Sequence, residues 1–456
     1  MKKIVAVILL MLVIVGTWVG LHLANKNGVI AVEQNQAYIT LAILAGIAIL
    51  LITEVIPLAL SAMCAPVLLY IFNIANTEQV FSAFSNSSVV LFGGMFIIGA
   101  SLFESGVAKS IGDEVAKRAK GSESTLLIAI LAVSIVVSLF LSNTGSAAVL
   151  MPMVISIAAS AKMSQSKFLI PMAFIISLTG TITLIGTPPN IIGNGILHSE
   201  GLETFGFFEF GMVGVPLTIV GFLYFLNPWV RKLLPDNGCD ETIVLESDAE
   251  KEKKTAVPVY KKWLSVIILL SVVVAMITNI LPLHIVSTIG ALVCVITGVI
   301  SEKKAYQAID WTTIFLFSGM LPLADAIERT GAGQMLADAV VGSLGENASP
   351  RILLSAVFLL TCGLTQFISN TASAALIAPI SLAIASNIGA NPKALIMTVC
   401  VAASCAFLTP ICTPPNTLVI GAGKYKFIDY IKLGFPLAVL CYLVAVIVVP
   451  IAWPFY

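Results

Sequence analysis

The eight residues Leu141-Ser142-Asn143-Thr144-Gly145-Ser146-Ala147-Ala148 are written a second time, 227 positions on, as Ile368-Ser369-Asn370-Thr371-Ala372-Ser373-Ala374-Ala375. Downstream, Gly186-Thr187-Pro188-Pro189-Asn190 returns as Cys412-Thr413-Pro414-Pro415-Asn416, displaced by 226. Pro152 and Pro379 keep the 227 offset, while Phe92-Gly93-Gly94-Met95 answers Phe317-Ser318-Gly319-Met320 at 225, as Ser105-Gly106 answers Thr330-Gly331. Offsets this steady mean that the chain is a duplicated unit.

Composition says where such a unit lives. Of 456 residues, 58% are hydrophobic and 11% charged, against about 25% charged in a soluble domain. The predicted fold class is an all-α polytopic membrane protein embedded in a lipid bilayer. Two repeats in a membrane point to a transporter that holds its substrate near the midplane at broken helices. With 24 basic and 24 acidic residues, no basic surface suggests nucleic acid. The cysteines Cys64, Cys239, Cys294, Cys362, Cys400, Cys405, Cys412 and Cys441 form no CxxC and read as small buried hydrophobes.

Long apolar segments recur from 4–24 to 432–453. The first lacks a convincing cleavage site and is taken as a retained span. Two more apolar stretches, 124–141 and 350–368, run into the Ser-Asn-Thr tripeptides. If these are hairpins that enter the membrane and turn back, the backbone at their tips must be buried in protein or line a wet cavity. Lys2 and Lys3, the cluster Lys109, Lys117, Arg118 and Lys120, and the basic residues from Arg231 to Lys262 belong in the cytoplasm by the positive-inside rule. That places the N-terminus on the cytoplasmic side of a cell membrane, expected to be a bacterial inner or plasma membrane. It also divides the chain into a first span plus first repeat (1–230), a solvated cytoplasmic linker (231–262) and a second repeat (263–456). The amphipathic segment 107–120 and its duplicate around 332–344 read either as interfacial arms or as plain surface helices.

Ser, Asn and Thr are good N-caps, so each tripeptide can end one helix and open the next. A helix opening there aims free N–H groups and its positive dipole end at the tip, which suits an anion. In Thr-Pro-Pro-Asn the prolines interrupt the helix, freeing carbonyls upstream and presetting the helix that follows. Hydroxyls lie one turn before each tripeptide serine: Ser138 before Ser142, and Thr365 before Ser369, so each half offers hard oxygen ligands for one small cation. No Lys, Arg or His occurs within these segments. A doubly charged anion there must be compensated by helix ends and co-bound Na+.

The paired tripeptides, the paired Thr-Pro-Pro-Asn segments and Thr53-Glu54-Val55-Ile56-Pro57-Leu58 together resemble the divalent anion/sodium symporter family, which includes the sodium-coupled dicarboxylate and citrate carriers. The resemblance implies about eleven transmembrane helices plus two re-entrant hairpins, an inverted repeat, a homodimer and an elevator-type transport domain. Carried over by position, one Na+ would sit at Ser138, Ser142, Asn143 and Gly186. A second would sit at Thr365, Ile368, Asn370 and Cys412, with Ile368 and Cys412 acting through backbone carbonyls. Substrate carboxylates would meet Ser142, Asn143, Thr144, Thr187, Ser369, Asn370, Thr371 and Thr413. Exchangers of the family often carry an Arg two places after the tripeptide; Ser146 and Ser373 stand there, which favours symport.

The expected function is therefore Na+-coupled uptake of a small divalent anion, a C4-dicarboxylate such as succinate, fumarate or malate. Citrate, sulfate and dicarboxylate exchange are the rivals. An intramembrane enzyme would need a positioned base or metal, and HExxH and GxSxG are both absent. A channel would want a continuous polar pore instead of two occluding tips. Elsewhere, Glu54 in an apolar setting reads as functional or as part of a solvated kink. Asp325, Glu328 and Arg329 read as a salt-bridged helix end, and His22, His198 and His284 as interfacial packing.

Overall fold

The prolines and small polar residues that punctuate the apolar runs also set the helix boundaries of the computed structural model, which describes residues 32–53, 55–107, 122–238, 258–278, 280–344, 349–410 and 412–455. Among the described residues every regular element is helical. The first half runs α1 (Val32–Thr53), α2 (Leu58–Ile71), α3 (Thr77–Phe81), α4 (Ser87–Glu104), α5 (Glu123–Ser138), α6 (Asn143–Ser160), α7 (Ser166–Thr179), α8 (Pro188–Ser199), α9 (Gly211–Leu226) and α10 (Pro228–Leu233). The second runs α11 (Val259–Ile277), α12 (Leu283–Ile296), α13 (Glu302–Ala308), α14 (Trp311–Arg329), α15 (Ala332–Leu344), α16 (Pro350–Thr365), α17 (Asn370–Ile388), α18 (Pro392–Ser404), α19 (Pro414–Ala422) and α20 (Phe427–Ala452).

The duplication extends further than the motifs indicate. Pro57 caps α2 as Pro282 caps α12, and α3 is answered by α13 at an offset of 225. Five described stretches are long and apolar enough to cross a membrane, namely Asn35–Thr53, Thr77–Glu104, Val259–Ile277, Asn370–Ile388 and Phe427–Ala452. Eight shorter apolar helices accompany them. The expected span at 4–24, Lys2, Lys3, His22, Glu54, the basic cluster Lys109 to Lys120, nearly all of segment 107–120, Cys239 and the middle of the linker lie outside the described residues.

Packing repeats along with the elements. Helix α2 lies against α14, and its duplicate α12 lies against α4. The closest approaches use the same register. A Cβ on Gly94 would stand 2.7 Å from the Ser287 carbonyl carbon, and one on Gly319 would stand 2.6 Å from the Ala62 carbonyl oxygen. At both crossings only a glycine lets the backbones meet.

Two expectations change in detail. Residues 231–238 are not free linker: Arg231 pairs with Glu123 at 3.0 Å and Asp236 with Lys167 at 3.1 Å. The Asn237 amide nitrogen donates to the Gly423 carbonyl at 2.8 Å, so this stretch is pinned to both halves by satisfied polar groups. At the far side, α11 already claims Lys261 and Lys262. The duplicate arm, α15, packs on α17 and α1, with Gly333 close to Ala383. Arg329 and Asp325 form the expected ion pair, at 2.7 Å. His198 closes α8 with its ring 3.2 Å from the Ser87 hydroxyl, and His284 sits in the first turn of α12.

Candidate functional site

Each Ser-Asn-Thr tripeptide forms the bend between two mutually packed helices, α5–α6 and α16–α17. The serine is the cap in both: Ser142 Oγ accepts from the Gly145 amide at 3.3 Å and Ser369 Oγ from the Ala372 amide at 3.2 Å. The hydroxyl one turn earlier turns away from its own helix. Ser138 Oγ donates to the Ile176 carbonyl at 3.0 Å, and Thr365 Oγ1 to the Ala403 carbonyl at 2.9 Å. These acceptors sit near the ends of α7 and α18, where the helix has begun to run out.

Each end is a genuine break. Helix α7 stops at Thr179 and α8 restarts from Thr187, with Pro188 in its first turn; α18 stops at Ser404 and α19 restarts from Thr413 with Pro414. The two threonines adopt the same extended backbone, φ −141° and ψ 141° for Thr187, φ −137° and ψ 137° for Thr413. The carbonyls freed between are collected by the motif asparagine. Asn190 Nδ2 donates to Gly180 at 3.3 Å and Thr183 at 2.9 Å, and Asn416 Nδ2 donates to Ala406 at 2.9 Å and Thr409 at 3.2 Å. A threonine then ties the break to the tip: Thr183 Oγ1 donates to Leu139 at 3.3 Å and Thr409 Oγ1 to Gln366 at 2.8 Å.

The first cluster brings Ser138, Asn143 and Gly186 together. With its nitrogen facing the carbonyls, the Asn143 amide donates to Gly186 O at 3.3 Å and Ile176 O at 3.2 Å. Gly180 and Gly186 are required here, because a Cβ on the first would collide with the Asn143 side chain and one on the second with the Gly180 carbonyl. The second cluster brings Thr365 within 3.1 Å of Asn370 Oδ1, with Ile368 buried beside them. Cys412 lies one bond further off, its thiol donating to the Thr409 carbonyl at 3.4 Å. Thr187 and Thr413 are buried, Ser142, Ser369 and Thr371 are half-buried, and Thr144 is exposed.

Several buried polar atoms around the breaks have no protein partner: Thr179 Oγ1, Thr187 Oγ1, the repeat-related pair Ser146 Oγ and Ser373 Oγ, and Oδ1 of Asn190 and of Asn416. An unpaired buried polar group costs roughly 1–3 kcal/mol, so this cluster beside the motifs suits a site that completes its bonding with a polar guest. Asn190, Asn416, Thr183, Thr409 and Gln366 have no role in the motif-level expectations. The signal for the first four is nonetheless present in the chain, since both asparagines lie inside the repeated motif and both threonines recur at 226, whereas Gln366 has no counterpart in the first half.

The halves interlock. Helix α8 packs on α17 and α18, while α19 packs on α6 and α7, so each break is roofed by the other half's tip helices. Apolar helices throughout, two re-opened helix breaks and unpaired hydroxyls buried around them define a multi-pass membrane transporter. The chain belongs to the citrate transporter family (CitMHS), which matches residues 48–402 and 347–455; membership implies a small anionic substrate and a transporter rather than an enzyme. It is 27% identical over 450 residues to the sodium-dependent dicarboxylate transporter SdcS of Staphylococcus saprophyticus, covering 91% of this chain and 86% of that one. It is 29% identical over 430 residues to a transporter of Haemophilus influenzae, covering 89% of each. Among solved structures it shares its fold with MtrF of Neisseria gonorrhoeae, described with a class of antimetabolite efflux pumps, at a TM-score of 0.61 and 15% identity over 84% of each chain.

Proposed function

We propose that this protein couples Na+ movement to uptake of a small divalent anion, most directly a C4-dicarboxylate such as succinate, fumarate or malate. One Na+ is held at Ser138, Ser142, Asn143 and Gly186, and a second at Thr365, Ile368, Asn370 and Cys412. The anion lies between the tips, its carboxylates taken by Ser142, Asn143, Thr144, Thr187, Ser369, Asn370, Thr371 and Thr413. The observation that carries this reading is the doubled cluster. Each helix break gathers hydroxyl and carbonyl oxygens against a helix N-terminus, with no cationic residue in either motif. Oxygens of this kind are hard ligands that suit Na+, and the cation in turn offsets the charge of a dianion in a low-dielectric pocket.

The tips work as re-entrant hairpins of two inverted repeats, 1–230 and 263–456, with the connecting chain and the N-terminus cytoplasmic. The hairpins and broken helices travel together as an elevator against the α2–α14 and α4–α12 pairs, which hold a homodimer. Uptake of succinate, citrate and sulfate into proteoliposomes, with and without a Na+ gradient, tests the reading. Na+-dependent succinate accumulation supports it. Accumulation in choline or potassium buffer alone, with no counter-anion inside, overturns the coupling, and exchange without Na+ makes the protein an exchanger.

A further inference from the structure

The first tip is reached from one side by a cavity of about 360 Å3, with Ser142 and Gly145 lining it at the start of α6. Among the lining residues the only charged side chains are Glu104, at the end of α4, and Lys304, on the short helix α13. The Lys304 ammonium is paired with the Glu104 carboxylate. Gln307, one turn along α13, also faces the space. Thus a cation absent from both motifs is delivered by the fold to the approach of the first one.

The duplication supplies an internal control. A second cavity, of about 500 Å3, is lined by the repeat-related positions Gln79, Ser82 and Ala83, which answer Lys304, Gln307 and Ala308 at an offset of 225. It has Gln79 where the first has Lys304, and its ionisable lining consists of the carboxyl groups of Glu78, Glu200 and Asp325 with the His198 ring. No tip residue lines it. One vestibule therefore has a lysine in its lining and leads to the tip, and the other has neither a lysine nor a tip residue in its lining.

We propose that Lys304 captures the anion on the approach to the site, resting on the transport function argued above. An arriving carboxylate displaces Glu104 from the Lys304 ammonium, is held in the vestibule, and is passed to the N–H groups at the start of α6. Glu104 then returns to Lys304. The pair is suited to exchange because it is half-exposed, with 53% of the Lys304 and 29% of the Glu104 side chain accessible, and ion pairs open to water are weak. Lysine suits the role, being a compact charge on a flexible stem, and a cation in a walled cleft raises the local concentration of anions.

The test compares wild type, Lys304→Gln and Glu104→Gln in proteoliposomes, reading KM and maximal rate for succinate, citrate and sulfate, with and without Na+. Lys304→Gln installs the residue of the other repeat. It is expected to raise the succinate KM by about three- to tenfold, whereas Glu104→Gln, which frees the ammonium, lowers it by about twofold. Maximal rate and half-saturation for Na+ stay at wild-type values in both. A purely structural ion pair moves both variants in the same direction, so parallel KM shifts, or no shift in Lys304→Gln, overturn the proposal. The wild-type arm separates the two readings. If wild type transports an anion without Na+, the coupling fails and the variants still decide the role of Lys304; if it transports none of the three, both fall.

Discussion

The side-chain amide of Asn143 reaches from the first tip to the backbone carbonyl of Gly186, 3.3 Å away, and so ties the bend between α5 and α6 to the break before α8. The same nitrogen meets the carbonyl of Ile176, which already accepts from Ser138. Changing Asn143 to Asp turns this donor into a carboxylate facing two carbonyl oxygens and, in the proposed site, a dianion. Because a like charge across an interface costs several kcal/mol, the succinate KM should rise by about tenfold or more, with a shifted half-saturation for Na+. Uptake kinetics that leave both untouched would show that Asn143 is not part of the site.

Asn190 and Asn416 are predicted to be structural keystones of the breaks. Asn416→Ala removes donors to the buried carbonyls of Ala406 and Thr409 and should cost roughly 2–4 kcal/mol, because unsatisfied buried acceptors keep their desolvation penalty. A thermal melt of purified protein in detergent reads this directly. An unchanged melting temperature for both Asn190→Ala and Asn416→Ala would mean that water replaces the amide.

The glycine crossings offer a paired test with a neighbour as control. Gly94→Ala and Gly319→Ala each push a methyl into the facing backbone and should destabilise by about 1–3 kcal/mol, as overpacking does. A Cβ on Gly93 meets no atom within 4 Å, so Gly93→Ala should be neutral or slightly stabilising, given alanine's better helix propensity. Equal losses at positions 93 and 94 would contradict the packing.

Glu200, just past the end of α8, supplies a pH dependence. Burial, then a hydrogen bond to Glu328 and the charges of Glu328 and Asp325, opposed by Arg329, raise its carboxyl from 4.5 to about 8. The folded protein therefore holds a proton that the unfolded chain releases. That stabilisation is complete below the unfolded value and is lost as pH rises through about 8. Glu200→Gln, a mimic of the protonated acid, should melt increasingly above wild type as pH goes from about 5 to about 9. Parallel melting curves across that range would rule out the proton.

Much of each tip is legible in a few consecutive residues. Ser142 and Ser369 cap because a short side-chain oxygen reaches the amide three residues on, and Thr187 and Thr413 restart helices because proline tolerates the first turn; both are local rules. The roles of Asn190, Asn416, Thr183 and Thr409 are not legible in that way. Their partners lie 7 to 44 residues away in the chain, and nothing local says that a break will fold onto a tip. The full extent of the duplication is hidden for a related reason, since α2 and α12 share a capping proline and a packing role but few identical residues.

The sequence by itself determined the membrane-embedded helical class, the doubling of the chain and the places where its helices stop and restart, because composition, repetition and capping all act within a few residues. Only the tertiary structure decided that α8 is roofed by the second half and α19 by the first, and that Lys304 stands at the approach to a motif with no cation of its own. Those arrangements follow from packing and pairing between elements remote in the chain, which no local preference records.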